Sequence, residues 1–124
     1  MKIKDIMGSP YFTDDNIELS EAAKIMSSNK IPTLIYMEKE KVAGIVTESD
    51  LLKNFSKNKK IKDIMSENVI TIDQDGELEE AILLMQENKI KRLPVLQKDK
   101  LVGIISLADI AAHSDEIDEG FFFE

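Results

Sequence analysis

Two stretches of the sequence combine a glycine, a hydroxyl side chain and an aspartate at the same spacing. Gly44, Thr47 and Asp50 lie in GIVTESD, and the second stretch, GIISLAD, spans residues 103–109. Where such a stretch opens a helix, the free backbone amides of the first turn and the hydroxyl can donate to phosphate oxygens. The carboxylate can accept hydrogen bonds from the two hydroxyls of a ribose. The pattern is therefore compatible with a nucleotide site.

The same spacing also has a purely structural interpretation. A hydroxyl residue followed three positions later by an acid forms a helix capping box, although glutamate is commoner than aspartate there. Gly44 and Gly103 either permit a close backbone approach or relieve crowding on a strand. Both interpretations place residues 47–50 and 106–109 at the start of a short helix.

These stretches belong to an internal repeat that covers most of the chain. The hexapeptide KIKDIM occurs at residues 2–7 and again at 60–65. Residues 17–53 align with 76–112 with 14 identities in 37 positions. Duplication on this scale means that both copies share one arrangement of helices and strands.

Each copy predicts the element order β-α-β-β-α. The long helix follows from apolar residues at helical spacing, and two strands with alternating or continuous apolar residues come after it. The helix residues are Leu19, Ala22, Ala23 and Met26 in the first copy, and Leu78, Ala81, Ile82 and Met85 in the second. Asn29 and Asn88 are expected to adopt the left-handed conformation that ends such a helix.

One copy alone is too short to bury a large core. We therefore predict an α/β fold in which two repeats, residues 1–58 and 59–113, pack as a pseudo-twofold pair through their small sheets. An acidic and aromatic tail, residues 114–124, follows. Its three phenylalanines, residues 121–123, either belong to a disordered end or dock on a partner.

Composition excludes several classes of function. The 124 residues include 16 basic and 24 acidic side chains, a net charge of −8, which disfavours nucleic-acid binding. Cysteine is absent and His113 is the only histidine, so thiolate chemistry, a metal centre and histidine-based catalysis gain no support. No apolar run is long enough to span a membrane or to act as a secretion signal, which predicts a cytoplasmic protein.

The repeated D-I-M segment, NKIKRLPVL at 88–96 and LVGIISLAD at 101–109 together resemble the cystathionine β-synthase (CBS) domain family. Two tandem CBS domains form a Bateman module, and the resemblance covers residues 1–113. It implies a regulatory module without catalytic activity that binds AMP, ADP, ATP or S-adenosylmethionine in clefts between the repeats. It also implies a homodimer of such pairs and an effector protein in trans.

The resemblance implies one cleft with a complete set of ligand-binding residues. Asp50 would bind the ribose hydroxyls, Thr47 a phosphate or ribose oxygen, and Ile70 with nearby backbone the adenine. Two adjacent cations would neutralise phosphates, unless they are merely solvated surface charges. The full set is Gly44, Thr47, Asp50, Val69, Ile70, Thr71, Lys91, Arg92 and Pro94.

A second cleft would use Ser106 and Asp109 with Phe12 and Thr33 of the first copy. There the first copy has PTLIY where the second has KRLPV, so the basic pair is missing. We expect this cleft to take an uncharged or less phosphorylated ligand, and Tyr36 or Phe12 to stack on an adenine or to belong to the core.

A structural interaction module with ligand-free clefts is the alternative function. Its supporting feature is the substituted strand of the first copy, which lacks the basic pair in one cleft. A separate expectation concerns the short final helices, whose apolar surface exceeds what one pair is expected to bury. The residues concerned are Leu51, Leu52, Phe55, Ile110 and Ala111. Covering them with a second copy predicts a twofold-symmetric homodimer.

Overall fold

The computed structural model describes residues 1–55 and 58–113, and the expectations for residues 114–124 lie outside that range. The contacts divide the chain into two compact units. One, here called the continuous unit, is Tyr11–Val69. The other, here called the split unit, combines Met1–Pro10 with the chain from Ile70 onward. Each KIKDIM segment thus belongs to the unit that contains the sheet of the other sequence repeat, while the repeat boundaries 1–58 and 59–113 stay a prediction.

The continuous unit has a three-stranded sheet and three helices. The strands β1 (Phe12–Thr13), β2 (Thr33–Glu38) and β3 (Lys41–Thr47) lie in the order β1-β2-β3. β1 is parallel to β2, whereas β2 and β3 form an antiparallel hairpin. The helices are α1 (Leu19–Asn29), α2 (Glu48–Asn54) and α3 (Ile61–Ile64). α3 is formed by the second KIKDIM segment.

The split unit repeats this architecture. A short 3₁₀ helix (Ile3–Asp5) takes the place of α3, and β4 (Ile72–Asp73), β5 (Arg92–Gln97) and β6 (Lys100–Ser106) form the sheet in that order. The helices are α4 (Leu78–Asn88) and α5 (Leu107–Ala112). The predicted α/β class and the β-α-β-β-α order are confirmed. No helix within residues 1–55 and 58–113 is both long enough and apolar enough to cross a bilayer.

Each unit has its own apolar core between its sheet and its long helix. In both, the first isoleucine of the KIKDIM segment is completely buried. This residue is Ile3 in the split unit and Ile61 in the continuous unit. Burying an isoleucine side chain contributes about 1.5–3 kcal/mol. A segment of only six residues therefore supplies a substantial part of each core.

The helix ends differ from the prediction in one detail. The left-handed residues are Lys30 (φ 54°) and Lys89 (φ 55°), each one position after the expected asparagine. Asn29 and Asn88 are the last helical residues, and their side-chain amides donate to the carbonyls of Ile25 and Leu84, at 2.8 and 2.9 Å. The prediction was wrong because the left-handed position is taken by the lysine that follows, whose amide bonds to carbonyls of the last turn.

Candidate ligand-binding site

Both hydroxyl–acid stretches form complete capping boxes. In α2 the amide of Thr47 donates to Oδ2 of Asp50 at 2.9 Å, and the amide of Asp50 donates to Oγ1 of Thr47 at 3.2 Å. Ser106 and Asp109 make the same pair of bonds in α5, at 3.1 and 3.0 Å. The structural interpretation of the motif is confirmed. It occupies one oxygen of each aspartate, and no described residue forms a hydrogen bond with the other oxygen, Oδ1.

The first turn of these helices offers fewer free amides than the sequence pattern suggests. The amide of Glu48 donates to the carbonyl of Pro32 at 3.1 Å, and the amide of Leu107 donates to the carbonyl of Lys91 at 2.9 Å. With the amide of Asp50 also bonded, only one of the first three amides of α2 lacks such a partner. Ligand binding at this point must therefore depend on side chains more than on backbone donors.

The predicted site residues are divided between the two units. The continuous unit holds Gly44, Thr47, Asp50 and Val69 of the first set and Phe12 and Thr33 of the second. The split unit holds Ile70, Thr71, Lys91, Arg92, Pro94, Ser106 and Asp109.

Within each unit, the start of the central strand lies beside the capping box. Thr33 is the cross-strand partner of Thr47, and Arg92 is the partner of Ser106. Thr33 is buried, whereas Arg92 is half-buried and Lys91 exposed. The basic pair thus shares its sheet with the second capping box, a pairing within one unit that sequence reasoning did not anticipate.

The two cations at the start of β5 have no acidic partner in the described part of the chain. The described ion pairs involve the side chains of Lys2 with Glu77, Lys4 with Asp75 and Lys62 with Glu38. Neither Lys91 nor Arg92 takes part in one. Half-buried Arg92 therefore presents its planar fork without a carboxylate to neutralise it, which is the condition in which arginine binds a phosphate bidentately.

Methionines of the KIKDIM segments pack against the glycines of the two stretches. A Cβ added to Gly44 would overlap the sulfur of Met65 and lie 2.8 Å from its Cγ. One added to Gly103 would lie 2.9 Å from Cγ of Met7 and 3.0 Å from the carbonyl oxygen of Gly8. The structure shows that each glycine makes room for a methionine, and a close approach of its backbone to a ligand stays a prediction. The sequence signal for this contact is the repetition of both the methionine and the glycine in the two copies.

Pro94 removes one hydrogen bond from the sheet of the split unit. In the continuous unit, the amide of Ile35 donates to the carbonyl of Tyr11 at 3.1 Å, and Phe12 is the first residue of β1. Pro94 lies at the position equivalent to Ile35 and has no amide hydrogen. The parallel ladder of the split unit accordingly begins only at Ile72. The equivalent carbonyl, that of Ile70, receives no hydrogen bond from β5.

The aromatic candidates separate clearly. Tyr36 is 5% exposed and belongs to the core of the continuous unit, with the ammonium of Lys62 5.9 Å from its ring centroid. Phe12 is 57% exposed. Of the two, only Phe12 has a free ring face. Within residues 1–55 and 58–113, no group of three or more acidic or histidine side chains is arranged to hold a metal ion.

A sequence profile of the CBS domain matches residues 3–57 and again residues 61–116. This chain belongs to the CBS domain family. The two matches follow the two copies of the internal repeat, so the chain carries a tandem pair of CBS domains.

Relatives include whole enzymes as well as short proteins. The inosine-5′-monophosphate dehydrogenase of Methanocaldococcus jannaschii is 39% identical over 111 residues, which are 87% of this chain and 21% of that protein. The L-aspartate semialdehyde sulfurtransferase of the same organism is 37% identical, over 88% of this chain and 22% of that protein. The CBS pair thus spans about a fifth of the length of these two enzymes. YlbB of Bacillus subtilis, an uncharacterized protein, is 30% identical over 98% of both chains.

Solved CBS structures share the fold. The CBS domain pair of protein MJ0100, in complex with 5′-methylthioadenosine and S-adenosyl-L-methionine, is 32% identical with a TM-score of 0.86 over 94% of this chain and 97% of that chain. A hexameric CBS-CP12 protein from bloom-forming cyanobacteria is 28% identical with a TM-score of 0.81, over 93% of this chain and 72% of that chain. CBS domain pairs thus include a protein with bound adenosine compounds and a protein that forms a hexamer.

Proposed function

We propose that this chain is a regulatory module that binds an adenine nucleotide, AMP, ADP or ATP, and has no catalytic activity of its own. The observation that carries the proposal is the unpaired, half-buried guanidinium of Arg92, in a protein that also offers two capping-box aspartates with a free oxygen. The family membership and the adenosine compounds bound by the MJ0100 domain pair support the adenosine part of the ligand.

The roles of the residues follow from their chemistry. Oδ1 of Asp50 accepts hydrogen bonds from the ribose hydroxyls, and the hydroxyl of Thr47 donates to a ribose or phosphate oxygen. Lys91 and Arg92 bind phosphate through charge-assisted hydrogen bonds. Of the rest of the predicted set, Gly44, Val69 and Thr71 contribute backbone near the ligand rather than charge.

The adenine ring is recognised through the interrupted ladder. The carbonyl of Ile70, which receives no bond from Pro94, accepts a hydrogen bond from the 6-amino group of adenine. The ring of Pro94 supplies an apolar surface for the base. An acceptor at this position distinguishes adenine from hypoxanthine, because hypoxanthine has a carbonyl oxygen in place of the amino group.

Regulation then follows from differential binding. A ligand shifts the conformation or association of the chain only as far as it prefers one arrangement over another. An effector protein in trans would read this shift. S-adenosylmethionine is the competing adenosine ligand, but it has no phosphate to engage Lys91 and Arg92.

Titration calorimetry with adenosine, AMP, ADP, ATP and S-adenosylmethionine tests the proposal. Replacing Asp50 with alanine should weaken the binding of both adenosine and AMP, because both contain the ribose. Replacing Arg92 with alanine should weaken the binding of AMP by about 5–150-fold, the equivalent of about 1–3 kcal/mol for charge-assisted bonds, and leave adenosine unchanged. A coupling energy between the two substitutions would show that both residues act on the same ligand.

Two controls sharpen this experiment. Asp109→Ala removes the equivalent aspartate and should change the affinity for AMP by less than threefold. Pro94→Ile restores an amide at β5 and should weaken AMP binding more than inosine monophosphate binding, because only AMP loses a hydrogen bond to the carbonyl of Ile70. If Asp50→Ala and Arg92→Ala both bind AMP as the wild type does, the proposed site is wrong.

The second set of residues, Phe12, Thr33, Ser106 and Asp109, is proposed to bind an uncharged or less phosphorylated adenosine compound. Thr33 stands where the other copy has Arg92, so no guanidinium is available from that position. We expect one di- or triphosphate per chain, with an affinity that falls as the salt concentration rises. Two equivalent ATP sites that are insensitive to Arg92→Ala would contradict this asymmetry.

Homodimerisation is a second function, and α2 carries the observation that favours it. Leu52 of α2 and Phe55, the residue that follows this helix, are 73% and 80% exposed. Ile110 of α5 is buried in the core of the split unit, and Leu51 packs against the core of the continuous unit. The exposed pair is the part of the predicted apolar surface that a second copy would cover. Light scattering should give a dimer mass that falls to the monomer mass in the double variant Leu52→Glu and Phe55→Glu. A monomer mass for the wild type at all concentrations would contradict it.

A further inference from the structure

The two KIKDIM segments are identical in sequence, and each binds to its own unit at a place here called its socket, with equivalent contacts at its first isoleucine. The amide of Ile3 donates to the carbonyl of Gly76 at 2.9 Å, and the amide of Ile61 donates to the carbonyl of Ile17 at 3.0 Å. Ile17 and Gly76 occupy the same place in the two repeats. Both isoleucines are completely buried. The two sockets therefore bind the same side chain with the same backbone acceptor.

The far ends of the segments are bound in the same way. Gly8 exchanges two backbone hydrogen bonds with Ile104, at 2.8 and 3.0 Å, and Ser66 exchanges two with Ile45, both at 3.0 Å. Next to these bonds, Met7 lies against Gly103 as Met65 lies against Gly44.

Each segment also carries its own local structure. The amide of Lys2 donates to Oδ2 of Asp5 at 2.8 Å, and the amide of Lys60 donates to Oδ2 of Asp63 at 2.9 Å. These bonds lie within the hexapeptide and do not depend on the socket.

The sockets differ in how the segment is connected to them. Residues 60–65 are continuous in sequence with the rest of the continuous unit on both sides. Residues 2–7 reach the split unit only through non-covalent contacts, because the next residues after Pro10 belong to the continuous unit. Their side-chain ion pairs, Lys2 with Glu77 and Lys4 with Asp75, join side chains that are about half exposed. Exposed pairs of this kind hold a segment only weakly.

From these contacts we infer that the socket of the split unit accepts residues 2–7 from a second copy of the chain. Nothing in the socket distinguishes one copy from another, since every contact is made to the segment itself. The unit is incomplete without such a segment, so two copies that exchange segments leave no socket empty. This inference is independent of the proposed ligand and of the apolar surface of α2.

Engineered cysteines test the exchange, because the natural sequence contains none. A chain with Met7→Cys and a second, isotope-labelled chain with Gly103→Cys are mixed and oxidised. The Cβ of residue 103 would lie 2.9 Å from the Cγ position of residue 7, a separation that a disulfide can span. Intact mass analysis should show a covalent dimer of one labelled and one unlabelled chain. An excess of a synthetic peptide of residues 1–10 should suppress it.

The repeat provides the matched control. Met65→Cys and Gly44→Cys reproduce the same geometry in the continuous unit, with 2.8 Å between the equivalent positions. Mixed chains with these substitutions should give at least tenfold less covalent dimer. A single chain carrying both Met7→Cys and Gly103→Cys should close its disulfide internally, which verifies the geometry. If that chain closes but the mixture gives no mixed dimer, or gives as much as the control pair, segment exchange is wrong.

Discussion

The continuous and split units have the same strand order, the same hairpin and the same kind of capping box, yet their central strands differ, and two of the differences bear on the candidate site. Thr33 and Ile35 of the continuous unit correspond to Arg92 and Pro94 of the split unit. The first difference replaces a buried hydroxyl with a half-buried cation, and the second removes an amide from the sheet. The residue between the two positions is the same buried leucine in both units, Leu34 and Leu93. Ligand chemistry can therefore diverge between the copies while this core position stays the same.

The largest expected effect concerns the buried isoleucines of the two KIKDIM segments. Ile3→Ala and Ile61→Ala should each lower the free energy of unfolding by about 2–5 kcal/mol, because each removes a completely buried side chain and leaves a cavity. Chemical denaturation measures both. Equal losses would show that a segment joined only through contacts is as well packed as one within a continuous unit. A loss below 1 kcal/mol for Ile3→Ala alone would mean that the segment does not contribute to the core of the split unit.

A smaller effect distinguishes the two glycines. Gly103→Ala and Gly44→Ala both force a methionine to move, at a cost of about 1–3 kcal/mol for an overfilled site. Gly103→Ala should be the more harmful of the two, because its Cβ also meets the backbone carbonyl of Gly8 at 3.0 Å, whereas the three atoms nearest to a Cβ at Gly44 all belong to the flexible side chain of Met65. Thermal unfolding of the two variants gives the order. The reverse order would show that the carbonyl moves more easily than the methionine.

The smallest effect is the pH dependence of the split unit. Hydrogen bonding and the charge of Lys4 lower the pKa of Asp75, and Lys2 lowers the pKa of Glu77 in the same way. Carboxylates with a lowered pKa stabilise the folded state above their ordinary values of 3.8 and 4.5, and this contribution is lost as the pH falls through the folded pKa. The wild type should be slightly more stable than the Asp75→Asn, Glu77→Gln double variant at pH 7, and the two should converge towards pH 3.

Convergence is measured by following thermal unfolding between pH 7 and pH 3. The same measurement is made on Glu38→Gln, which removes the partner of Lys62, so that the loss of an ion pair in the continuous unit can be compared with the loss of the two pairs in the split unit. A difference that stays constant over this range would show that the effect of the double variant is not electrostatic.

Much of the fold could be predicted because the repeat supplies each element twice. The helix from Leu19 and its counterpart from Leu78 begin at the same position of the aligned copies, and both hairpins have the predicted strands. The sequence could not show in this way that each KIKDIM segment belongs to the unit with the sheet of the other repeat. Ile3 and Ile61 are identical in local sequence, so neither their pattern nor their spacing indicates which sheet each one contacts.

The candidate site was predictable to a different extent. The capping boxes follow from local spacing, since Thr47 and Asp50 are three positions apart on one turn. The free carbonyl of Ile70 depends instead on a proline that is far away in sequence and adjacent in the sheet. It becomes visible only when the register of β4 and β5 is known.

The split unit imposes an order of events during synthesis. Residues 2–7 leave the ribosome well before their socket is made, because that socket requires Gly76, the β5–β6 hairpin and Ile104. At about 5–20 residues per second, the segment waits for several seconds with its isoleucine exposed. The socket of the continuous unit is then nearly complete, because β1 to β3 are already made, and it stays without its own segment until residues 60–65 emerge. During this interval the nascent chain contains residues 2–7, which belong to the split unit, and the nearly complete socket of the continuous unit, which belongs to residues 60–65.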